Sequence, residues 1–197
     1  MEESLELQRS VGDPFLVNRA QIGLLQVLVS IGELDTVERL AQESLELSQQ
    51  LGDLRSEHFA VHFLADCALI RGDCDAAEER YRRSLELAVE LRDRSETAVE
   101  LQGVAMASAG LSQPQRALRL AGSAQAELDA LGIDLSGMQF WSALHERYLG
   151  QAREELGPEV ADEAWEEGRR LGLERAIDEA LTDGGAPPGD AGRGSSG

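Results

Sequence analysis

Apolar residues recur along this chain at the three- and four-residue spacing of amphipathic helices, and the helices themselves recur on a longer beat. Leu24, Leu28 and Ile31 share one helical face, as do Val61, Leu64, Ala65 and Ala68, and again Leu101, Val104, Ala105 and Ser108. A second set interleaves with the first: Val37, Leu40, Ala41 and Leu45, then Ala77, Tyr81, Ser84 and Leu85. Ser4-Leu5-Glu6-Leu7 returns forty residues on as Ser44-Leu45-Glu46-Leu47, and forty further as Ser84-Leu85-Glu86-Leu87. Each is followed by a matching terminator: Val11-Gly12-Asp13, Leu51-Gly52-Asp53 and Leu91-Arg92-Asp93. Gly32, Gly72 and Ser112 keep the same spacing in an independent register, so the repetition is structural. Gly32 and Gly72 predict the tight turn between two antiparallel helices, and Asp13 or Asp53 predicts a helix cap. A helical hairpin cannot bury its apolar face alone, and stacking against its neighbours solves that problem. The expected fold is therefore all-α, a right-handed solenoid of antiparallel helical hairpins. Its expected parts are the end of a truncated repeat helix (1–13), three hairpins (14–133), capping helices (134–182) and a disordered tail (183–197) rich in Gly, Pro, Ser and Asp.

The hairpins resemble tetratricopeptide repeats of a long, forty-residue type. With Gly72 as the turn glycine, Ala65 falls on that family's small position in the first helix. Ala77, Tyr81 and Ser84 then fall on its small, aromatic and small positions in the second. The third unit keeps Ala105, Ala117 and Ala124 at the small places, with Ala121 replacing the aromatic; the first unit departs further, with Leu25, Val37 and Ala41. The stretch Ala164-Trp165-Glu166-Glu167-Gly168 through Leu171-Gly172-Leu173-Glu174-Arg175-Ala176-Ile177 resembles the carboxy-terminal end of bacterial LuxR-type and regulatory-ATPase transcription regulators. The resemblance implies a regulatory or scaffold region, separated from the nucleotide-binding and DNA-binding modules that such regulators carry upstream. No G-x-x-x-x-G-K-[ST] phosphate loop is present.

Composition narrows the partners. The net charge is −19, and all eighteen basic residues are arginine, with only Arg80, Arg82 and Arg83 clustered. Such a surface repels phosphate, so neither nucleic acid nor an anionic membrane is expected as a partner. The start, Met1-Glu2-Glu3, is acidic where a secretion signal is basic, and the apolar runs 22–31 and 59–70 are too short to span a bilayer; a cytoplasmic location is expected.

Candidate chemistry is sparse. The first helix of each hairpin should line the concave face, which places Arg19, Ile22 and Gln26, then Phe59, His62 and Asp66, then Val99, Gln102 and Met106 along a mixed groove for a protein or peptide partner. Self-association through the truncated hairpin, by way of Leu5, Leu7 and Val11, is a further expectation. His58, His62 and Asp66 fall at i, i+4 and i+8 on one stripe, and two imidazoles four apart can chelate a metal. Cys67, adjacent in sequence, points about 100° away from that stripe and His145 lies almost two repeats off, so no further ligand completes the set; Cys67 and Cys74 read as packing residues, and no metal and no cofactor is expected. The carboxylates form no privileged pair and no nucleophile elbow is present, so no catalytic residue is assigned. Trp141, with Phe140, Leu144, Tyr148 and Leu149, is spaced as a buried face. Trp165 is expected to be fully buried where it seals the last hairpin. The reading is a non-catalytic interaction module; the alternative is a small-ligand sensor that uses the concave face, with His62, Asp66 and Gln102 as polar contacts.

Overall fold

A computed structural model of the chain describes residues 13–182. These residues form an all-α solenoid. Three antiparallel hairpins follow one another: α1 (Pro14–Ser30) with α2 (Leu34–Leu51), α3 (Leu54–Arg71) with α4 (Cys74–Glu90), and α5 (Arg94–Gly110) with α6 (Pro114–Leu131). The chain continues through α7 (Gln139–His145), a π-helical turn (Glu146–Gly150), α8 (Gln151–Leu156), α9 (Pro158–Leu171) and α10 (Leu173–Leu181). Successive helices pack on each other, first helices also touch across hairpins, and α9 lies along α6. The expected half-repeat at 1–12, with the self-association assigned to it, and the expected tail at 183–197 lie outside the described residues.

The turns explain the beat. Gly32, Gly52, Gly72 and Gly132 all take positive φ, and so do Arg92 (φ 55°) and Ser112 (φ 60°) in the same register. Each is followed by a residue whose N–H reaches back five positions: Glu33 to Leu28, Asp53 to Ser48, Asp73 to Ala68, Asp93 to Ala88, Gln113 to Ser108 and Ile133 to Leu128. That six-to-one bond is the left-handed helix stop that satisfies the last carbonyls. Arg92 and Ser112 adopt it against their own preference because the stacked hairpins fix where each helix must end. Asp13, Asp53, Asp73 and Asp93 then cap the next helix, each carboxylate accepting a backbone N–H from its first turn.

Small residues set the spacing of the stack. Ala65, Ala77, Ala105, Ala117 and Ala124 are fully buried, and so is Tyr81, whose ring lies where a Cβ on Gly103 would be. Trp141, Leu144, Tyr148 and Leu149 are buried as their spacing predicts. Trp165 is not the seal of the last hairpin: it is only partly buried, with Arg153 over its ring at 5.2 Å. The backbone at Gly122 abuts the Trp165 carbonyl, and Gly168 abuts the Arg119 carbonyl. The two helices approach too closely for an indole to lie between them, so Ala161, Ala164 and Gly168 make the seam and the ring sits at its edge.

Candidate functional site

The most unusual feature of the molecule is a group of ionisable side chains buried between α3 and α5. His58, His62 and Asp66 rise along one face of α3, and Glu96 and Glu100 along the facing side of α5. His58, Asp66 and Glu100 have no exposed surface, and His62 is 8% exposed. His58 Nε2 lies 3.0 Å from Glu100 Oε1, and His62 Nδ1 lies 2.8 Å from the same oxygen. Neither approach is aligned as a hydrogen bond, so both His58 nitrogens and both Glu100 oxygens lack a hydrogen-bonding partner. His62 Nε2 lies 3.5 Å from Asp66 Oδ2, and the Tyr81 hydroxyl donates to Asp66 Oδ1 at 2.6 Å.

Electrostatics follow from this geometry. Burial alone would lower the His62 pKa, but the charges of Asp66 and Glu100 outweigh it and raise it to about 10. Burial pushes the Asp66 carboxyl up to about 6, although His62 and the Tyr81 hydroxyl pull the other way. Burial would also raise Glu100, yet His62 and His58 hold it down at about 2. His62 and Glu100 thus stabilise each other's charged forms. Burial, then the neighbouring Asp66 charge, pushes the Cys67 thiol up to about 12, which removes it as a thiolate nucleophile.

The groove expected on this side carries a lid made from the chain itself. Between α6 and α8 the chain crosses back over α5 and α3. The Trp141 indole N–H donates to Gln102 Oε1 at 3.0 Å, and the Trp141 ring stands 6.0 Å from that of His62 and 6.4 Å from that of Tyr81. Farther on, the Tyr148 hydroxyl donates to the Leu69 carbonyl at 2.7 Å and Arg147 to the Ile70 carbonyl at 3.2 Å. The Leu69 carbonyl also accepts the Gly72 N–H at 3.0 Å, so the segment adds a second bond there and the Arg147 bond serves a carbonyl in the last turn of α3. A cavity of about 170 Å³ remains beneath the segment, lined by Gln26, Phe59, His62, Glu96, Val99, Leu135, Met138 and Trp141. A scan against protein-family models finds none that matches, and no curated protein and no solved structure matches the chain.

The nine residues expected to line an open groove therefore divide. Arg19 is exposed and Ile22 half-buried at the uncovered end, while Gln26, also exposed, stands beside Met138 in the wall of the cavity. Phe59 and Val99 are half-buried at the rim of the cavity, whereas His62, Asp66, Gln102 and Met106 are buried. Sequence reasoning brought His58, His62 and Asp66 together but missed Glu96 and Glu100, since on so acidic a chain nothing local marks a carboxylate as buried. The signal was in the repeat. Glu100 occupies the position that Ala60 and Ala20 hold one and two units earlier, a carboxylate in a core register.

A second cavity, of about 380 Å³, lies on the other side of Trp141, between it and Trp165, with His145 and Arg153 in its wall. His145 Nε2 has no hydrogen-bond partner, and burial lowers its pKa to about 4. The sign is that of a base kept neutral: between pH 6.5 and 4 the unfolded chain binds the proton first, so stability falls as pH falls through that window. We expect wild type to lose on the order of 2 kcal/mol more than His145→Gln between pH 7 and pH 4 in urea melts. Equal losses in the two proteins would refute this assignment.

Proposed function

We propose that this chain is a non-catalytic protein-interaction module of the tetratricopeptide type, the regulatory or scaffold region of a bacterial signalling or transcription regulator working in the cytoplasm. The observation that carries the reading is the self-docked segment. A short amphipathic helix, α7, already lies against the first helices of the second and third hairpins, anchored by one aromatic ring and one hydrogen bond. That is the helix-in-groove mode by which helical grooves recognise partners. The uncovered end, near Arg19 and Ile22, extends the same surface toward α1. No helix among the described residues is long and apolar enough to cross a membrane.

The test uses the chain's own segment as its ligand. Trp141→Ala removes the anchor, and a synthetic peptide spanning residues 134–150 is then added in trans. We expect the variant to bind the peptide with a Kd near ~1 μM and the wild type at least about tenfold more weakly. The weaker binding arises because a tethered segment competes at an effective concentration near ~1 mM. A folded Trp141→Ala protein that does not take up the peptide would refute the groove reading. The alternative, a small-ligand sensor, is favoured by the cavity between the two tryptophans. A saturable ligand that protects wild type against heat without displacing the segment would support it.

A further inference from the structure

We propose that His58, Glu96 and Glu100 form a binding site for a divalent transition-metal ion of the zinc and cobalt class. The inference goes beyond the interaction-module reading and does not depend on it. One ligand atom from each of the three residues can be chosen so that all lie within 4.8 Å of one another. Glu96 and Glu100 stand one turn apart on α5, which aims two carboxylates the same way, and His58 faces them from α3. A single ion with bonds of about 2.0–2.2 Å gathers such a set with small side-chain shifts.

A second, independent observation points to an ion. His58 and Glu100 are wholly buried, and every side-chain nitrogen and oxygen they own is without a hydrogen-bonding partner. Fully buried polar atoms are satisfied in the great majority of cases, and an exception calls for a specific explanation, an ion among them. Here His58 Nε2 and Glu100 Oε1 stand 3.0 Å apart without the alignment of a donor and acceptor. Two ligands held around one cation have that relation. Charge argues the same way, because three carboxylates (Asp66, Glu96 and Glu100) are gathered against two imidazoles, and a cation offsets the excess.

The donor set selects the metal. Imidazole nitrogen with two carboxylates suits zinc, cobalt, nickel or manganese, whereas calcium and magnesium take oxygen alone. His62 stands beside Glu100 and is itself held by Asp66, so it orients the carboxylate, as groups behind metal ligands commonly do. Glu96 and His62 line the 170 Å³ cavity, which gives an ion a route in and leaves room for a water or a partner's side chain in an open fourth position.

The full-length chain, stripped with chelator, should be titrated with Co²⁺ and read by its visible d–d bands. We expect bands that saturate at one ion per chain, Zn²⁺ to bleach them and Mg²⁺ at a thousandfold excess to leave them. Glu96→Gln, at the less buried ligand, should keep the helical circular dichroism and weaken Co²⁺ binding at least tenfold. His145→Gln, which changes the one histidine outside the cluster, should bind as wild type does. Three results would each overturn the site: no saturable band, unchanged affinity in Glu96→Gln, or an intense near-ultraviolet charge-transfer band placing the ion on cysteine.

Discussion

Glu100→Gln should destabilise the folded chain by about 3–5 kcal/mol in urea melts run with chelator present, the usual cost of removing one partner from a buried ion pair. The two side chains are almost the same size, so the loss reads charge and not volume. His58 Nε2 and His62 Nδ1 both rest against one oxygen of this carboxylate, at 3.0 and 2.8 Å. With Gln there, the positive His62 keeps Asp66 as its nearest anion, with Glu96 farther off, and the Asp66 contact is the longer one, at 3.5 Å. His62→Gln should also be costly, and the double variant should cost clearly less than the two single losses added together, because each single change strands the other partner's charge and the double removes both. A loss under about 1 kcal/mol for Glu100→Gln, or strict additivity, would mean the cluster is not held by charge.

Ala60, one repeat earlier, fills the equivalent place without any polar group and is equally buried. A buried ionic group is often no better for stability than well-packed apolar residues of similar volume, so packing gives no reason for Glu100. A site that needs a fixed negative charge does.

How much of this could be read in advance depends on which parts of the chain keep the repeat. The hairpins could be, because the apolar faces and the glycine registers reinforce one another over three units. Arg92 and Ser112 show how far that goes: neither residue favours a left-handed turn, yet both stand where the register puts one, and both make it. The stripe of His58, His62 and Asp66 was legible as helical spacing on one element. Its carboxylate partners were not, since they come from a helix forty residues on, and a carboxylate on a chain of net charge −19 gives no local hint of burial. Only the comparison of Glu100 with Ala60 and Ala20 carries that information. The lid was illegible for a different reason. Residues 134–150 fall outside the repeat, so apolar spacing marks Trp141 as buried without saying against what. Its place on Gln102, beside His62 and Tyr81, is set by tertiary packing alone.

Gly168→Ala separates local from tertiary control most sharply, because the two predict opposite signs. Gly168 lies inside α9, where helix propensity alone would make alanine stabilising by about 1 kcal/mol. In the fold, however, a Cβ there would overlap the Arg119 carbonyl oxygen, with the carbonyl carbon 2.7 Å and Cα 2.9 Å away. These are backbone atoms of α6, so no rotamer change relieves the clash and the two helices must separate. Gly122, on the facing helix, is closed in the same way by the Trp165 carbonyl. Separation would strip contacts from Ala161 and Ala164 and draw away α10, whose Glu179 pairs with Arg119 and whose Leu181 carbonyl accepts from Arg82. We therefore expect a loss of about 3 kcal/mol or more, at the upper end of what overpacking costs. Faster proteolysis between α9 and α10 should accompany it. Gly23→Ala is the matched control, since Gly23 also lies within a helix, α1, and has no atom within 4 Å of the added carbon. It should be neutral to stabilising by up to about 1 kcal/mol. If both substitutions stabilise, the α6–α9 seam is looser than the structure places it; if only Gly168→Ala destabilises, the seam that closes the solenoid rests on two glycines meeting two carbonyls.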